Sequence, residues 1–117
     1  MKHYLLLILV TLSLNACGLS CNKLPSSFSS YSQATILVKK SSFKIKETAN
    51  TSNSSWIKGA KYYSCNGKIG FLIIKTNRKE YIHSNMPISK WKGLKNATSL
   101  GRYYNANIKG RYQLRLR

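Results

Sequence analysis

Residues 99–112 hold the side chains whose types and spacing could do chemistry. Arg102, Lys109 and Arg111 are interleaved with Tyr103, Tyr104 and Tyr112, and Asn105 and Asn107 add amides. Rings that stack and cations that hold phosphates are the parts of a polyanion binder. Nothing beside them supports turnover. The chain has two acidic residues, Glu47 and Glu80, no Asp, and two His, His3 and His83. General acid–base catalysis draws on His, Asp or Glu in pairs or triads, and none can be written from these residues. Metal sites need several carboxylates or grouped Cys and His. The expectation is a binding protein, not an enzyme, with no metal and no cofactor.

Charge points the same way. The 117 residues carry 20 Lys and Arg and a formal net charge of +18. Such a chain repels itself and favours an anionic partner. The candidate anion-binding residues are Lys90, Lys92, Lys95, Arg102, Lys109, Arg111, Arg115 and Arg117. The aromatic and polar candidates are Tyr81, His83, Asn105, Asn107 and Tyr112. A scaffold role competes at several of these. The helical spacing of Leu100, Tyr103 and Tyr104 favours a core place for both rings. Asn105 suits a cap near a helix end, and His83 a satisfied position in a sheet.

The elements that must position these residues begin after a leader. Lys2 and His3 precede an apolar run over residues 4–14, too short to span a bilayer comfortably but suited to a secretory signal peptide. Leu14-Asn15-Ala16-Cys17 resembles the lipobox of bacterial lipoproteins. The resemblance implies cleavage before Cys17 and acylation of its sulfur and new amino end. Ordinary cleavage near Ala16 is the alternative. Gly18 after the Cys resembles outer-membrane sorting. The expected place is therefore exported and membrane-anchored, facing the periplasm or on the outer membrane.

If Cys17 carries lipid, Cys21 and Cys65 remain, and an exported protein can keep a disulfide between them or leave two thiols. Residues 17–33, with a Ser-rich run at 26–32, read as a flexible tether. Residues 34–38 are apolar and β-branched, and Phe43, Lys44, Ile45 and Lys46 alternate, so residues 34–53 read as a strand pair and linker.

Residues 54–117 read as the main domain. Residues 55–64 read as a strand broken in pattern by Gly59, and Asn66-Gly67 signals a hairpin with a type I′ turn. Residues 68–75 are apolar on both faces, as in a doubly covered central strand. A turn over residues 76–79 leads to a short third strand at 80–83. Pro87 opens a helix with Ile88, Trp91 and Leu94 on one face and Lys90, Lys92 and Lys95 off it. Thr98 or Ser99 caps a second helix, Gly110 ends it, and residues 111–117 run extended along the sheet. The fold class is α+β: a small antiparallel meander, extended or not by the N-terminal strands, packed by two C-terminal helices.

These residues carry a resemblance. Ser54-Ser55-x-Ile57, the Met86-Pro87 helix entry and, above all, Gly101-Arg102-Tyr103-Tyr104-Asn105-x-x-Ile108-Lys109-Gly110-Arg111-Tyr112 resemble the KTSC domain, a short module named for its place at the C-terminus of some lysyl-tRNA synthetases. The chain departs from the family at Tyr81-Ile82-His83, where the family has Tyr-x-Tyr. The resemblance implies RNA binding. The leader implies instead a lipoprotein of a bacterial or prophage envelope. Its anionic partner there would be lipid, polymer or an envelope protein, with nucleic acid as the second reading.

Overall fold

A computed structural model describes residues 18–117. Its elements in chain order are β1 (Leu19–Ser20), α1 (Tyr31–Lys40), β2 (Ser41–Ser42), β3 (Ile45–Thr48), β4 (Gly59–Ser64), β5 (Ile69–Lys75), β6 (Glu80–Pro87), α2 (Ile88–Lys95) and α3 (Leu100–Asn107). β3, β4, β5 and β6 form an antiparallel sheet in that order, and β1 pairs with β2 in parallel. The α+β meander read from the sequence is the fold.

β5 is the central strand because its side chains are apolar on both faces. Leu72 and Ile74 point into one core with Tyr62, Met86, Trp91, Leu94, Leu100, Tyr104 and Ile108. Trp91 stacks on Tyr62 at 5.5 Å and 9°, and its indole N–H donates to Glu47 Oε1 at 2.7 Å. α2 and α3 are therefore the lid of this face. Ser99 caps α3 by accepting from the Arg102 N–H at 3.3 Å. Gly110 takes a positive φ of 78° in the turn beyond it, a conformation that glycine adopts without strain.

The opposite face holds a second core of Phe28, Ala34, Val38, Tyr63, Ile73, Ile82 and Leu114. Its cover corrects two expectations. Residues 34–38 lie in helix α1, not in a strand. Ser30 caps the helix by accepting from the Gln33 N–H at 3.0 Å, and Ala34 and Val38, one turn apart, are its buried residues. The β-branched run is overridden by a cap and by a bare sheet face that a helical stripe fills. Residues 18–33 are not a free tether. Phe28 is 2 % exposed and sits edge-on to Phe71. Its backbone bonds to Arg115 and Arg117, which holds the extended C-terminal tail. Cys21 and Cys65 are disulfide-bonded, with Cα atoms 5.8 Å apart. Because β3 pairs with β4, residues 34–53 and 54–117 share one sheet.

The β4–β5 turn also differs from its expected form. Gly67 has a φ of 77°, but Asn66 lacks the positive φ that a type I′ turn requires. Asn66 Oδ1 instead accepts from the Lys68 and Ile69 N–H groups at 2.8 and 3.1 Å, and Ser64 Oγ accepts from Gly67 N–H at 2.9 Å. The side chains of a longer loop do the work assigned to backbone dihedrals. The third strand is longer than read, reaching Pro87 at the N-cap of α2.

Candidate functional site

The start of β6, the β5–β6 turn, the outer side of α1 and the end of α3 enclose an open groove of about 1130 Å³. β6 supplies Tyr81 and His83, two residues apart on one face of a strand. The His83 Nε2 meets the Tyr104 hydroxyl at 2.8 Å, with ring centroids 5.4 Å apart. Trp56 stands edge-on to Tyr104 at 5.8 Å. These four rings make the floor and inner wall.

The rim is cationic. Lys39, Arg78, Lys79 and Lys109 line it, with Glu80 the one acid. Lys39 engages Glu80 at 2.7 Å, so the carboxylate is already neutralised. Lys79 lies over the Tyr81 ring, 4.9 Å from its centroid. That contact places a positive charge directly above the aromatic floor.

Burial shapes the titration of the floor. Desolvation lowers the His83 pKa below its ordinary value, against a hydrogen bond to the Tyr112 backbone, so the ring is neutral at pH 7. Burial pushes the Tyr104 hydroxyl up to about 12, and Tyr81 adds to the shift. A neutral imidazole and a protonated phenol offer hydrogen bonds, not charge. Ionic attraction in this groove belongs to the rim.

The fold gathers Tyr81, His83, Asn105 and Lys109 from the expected residues, and Tyr104 with them. It scatters the rest. Lys90, Lys92 and Lys95 lie on α2. Lys95 is paired with Glu47 at 2.9 Å, and Lys90 donates to Asn107 Oδ1 at 3.3 Å. The Asn107 amide donates to the Tyr103 carbonyl at 3.2 Å, a bond within α3. Arg111 donates to the Ala106 carbonyl at 3.0 Å, and Arg117 to the Ser27 carbonyl at 2.9 Å. Tyr103 and Tyr112 pack against the first core. Arg102 and Arg115 are exposed outside the groove. The eight basic candidates are thus no single patch, because helix geometry and backbone carbonyls claim them separately. Cys17 lies outside the described residues.

Arg78 and Lys79 were legible in principle, since a turn with two adjacent cations directly precedes Tyr81. Lys39, Tyr31 and Ile36 carried no such signal. They reach the groove only because α1 is a helix crossing the sheet.

Comparison with known families matches residues 53–112, just over half of the chain, to the KTSC domain. No curated protein and no solved structure matches the chain. The match contains Trp56, Tyr81, His83, Tyr104, Asn105 and Lys109, while the α1 wall of the groove lies outside it. The chain belongs to the KTSC domain family.

Proposed function

We propose that the protein is an exported, lipid-anchored module that holds an anionic partner in this groove. One observation carries the reading. Residues distant in sequence converge on an aromatic floor whose rim holds Arg78, Lys79 and Lys109 beside the Lys39–Glu80 ion pair. Such a site binds anions without any group poised for turnover. The export half rests on the apolar leader, on the Leu14-Asn15-Ala16-Cys17 run and on a disulfide suited to an oxidising compartment.

Two measurements test it. In bacterial cells the wild-type chain is expected in the membrane fraction with an acyl label, and Cys17→Ser is expected to lose the label. A soluble, unlabelled wild-type protein would refute the anchor. For the groove, the probe is inorganic polyphosphate followed by tryptophan fluorescence. Trp56 lines the groove and Trp91 is fully buried, so any change reports on the groove. Reversing Arg78 and Lys109 to Glu should weaken binding about tenfold or more, since each cation near an anionic surface is worth about 1 kcal/mol. An unchanged affinity would move the site elsewhere. Nucleic acid remains the second reading, favoured by Tyr81 and Trp56 beside cations. It predicts that a single-stranded oligonucleotide displaces polyphosphate and binds more tightly.

A further inference from the structure

Five large apolar side chains are notably exposed among the described residues: Tyr31, Ile36, Ile69, Tyr81 and Leu116. Three of them, Tyr31 at 54 %, Ile36 at 52 % and Tyr81 at 38 %, line the groove. Exposed apolar residues gathered under a basic rim mark a contact surface. Two belong to α1, outside the family-matched segment.

The place of α1 bears on what could cover this surface. Lys40 ends α1, and the next residue, Ser41, pairs with Leu19. Cys17 precedes Leu19 by two residues, at most about 7 Å of extended chain. Ile36 lies one turn before Lys40, about 6 Å along the helix axis. An acyl chain on Cys17 would thus be attached beside the C-terminal end of the helix that walls the groove. With residues 18–33 folded into the body and Cys21 tied to Cys65, no long spacer lifts the domain away.

We propose that the outer face of α1 and the groove rim rest on an anionic bilayer. Ile36 and Tyr31 enter the headgroup boundary, and Arg78, Lys79 and Lys109 hold lipid phosphates. The inference rests on the anchored, anion-binding reading and names its partner. Aliphatic exposure decides between partners. A nucleic acid uses rings and cations but has no need of a bare isoleucine, whereas an interfacial surface combines Lys and Arg with Tyr and aliphatic side chains.

The test uses residues 18–117, which contain both cores, the disulfide and every described element. Without the anchor, this chain should sediment with vesicles of equal phosphatidylglycerol and phosphatidylethanolamine and not with phosphatidylcholine vesicles. Ile36→Asn with Tyr31→Ser should weaken vesicle binding about tenfold, in line with the apolar area lost. The same variant should melt at a similar temperature, since both side chains are exposed. Polyphosphate binding without vesicle binding would overturn the bilayer inference and leave the groove standing. Failure with both probes would overturn the groove as well. Equal vesicle binding by the Ile36 and Tyr31 variant, or preferential capture of an acidic peptide or oligonucleotide, would also overturn it.

Discussion

At the residue scale, His83 sets the behaviour near neutral pH. Burial holds its pKa below the ordinary 6.5. The unfolded chain therefore takes up the proton first as pH falls, and the native state loses stability from 6.5 downward until the folded ring also titrates. Glu47 acts in a lower window. Its pKa is held below 4.5, first by the Trp91 indole bond and then by Lys95, so its contribution is lost below that value. The melting temperature should thus fall between pH 6.5 and 4.5 because of His83, and His83→Gln should flatten that slope. An unaltered slope in the variant would assign the titration elsewhere. Tyr104→Phe removes the hydroxyl from Nε2 and should cost about 1 kcal/mol in denaturant unfolding, the net value of one such bond.

At the element scale, α3 and Trp56 are fitted to each other. A Cβ on Gly101 would collide with the Trp56 indole. Alanine improves helix propensity by about 1 kcal/mol over glycine, but overpacking costs about 1–3 kcal/mol. Gly101→Ala should therefore destabilise modestly and shift the Trp56 emission, because the ring must leave its place against Tyr104. Unchanged emission would mean that the helix moves instead. The N-terminal cover responds to a different lever. The Cys21–Cys65 bond spans 44 residues, and closing a loop of that size is worth about 4 kcal/mol in the chain-entropy account. Reductant should lower the melting temperature of the wild type and leave Cys65→Ser unaffected. Vesicle binding should weaken under the same reductant, because the N-terminal segment that leads into α1 loses its covalent tie to the β4–β5 loop.

At the scale of the whole molecule, salt should act in opposite directions on stability and binding. A net charge of +18 with both acids already paired leaves repulsion as the dominant long-range force. Moderate salt screens that repulsion and should raise the melting temperature. The same salt should weaken polyphosphate binding steeply, as displacement of counterions requires. A melting temperature that falls with salt would show that the two ion pairs outweigh the repulsion.

Local chemistry was enough to determine the central strand, the order of the meander, the two C-terminal helices and the KTSC family of the main domain, and it narrowed the α3 cap to Thr98 or Ser99. Those features depend on alternation, capping and motif spacing, which act between neighbours. The composition alone also carries the expectation of an anionic partner, because almost no acid offsets the Lys and Arg. Tertiary structure decided the rest. Residues 34–38 carry strand-like side chains, yet they form a helix because the second face of the sheet needs an apolar stripe laid across it. Residues 99–112 contribute only part of the site, since their cations diverge around a helix while Arg78, Lys79 and Lys39 arrive from a turn and from α1. Long-range packing brings such groups within reach of one another, and no window along the chain contains that information.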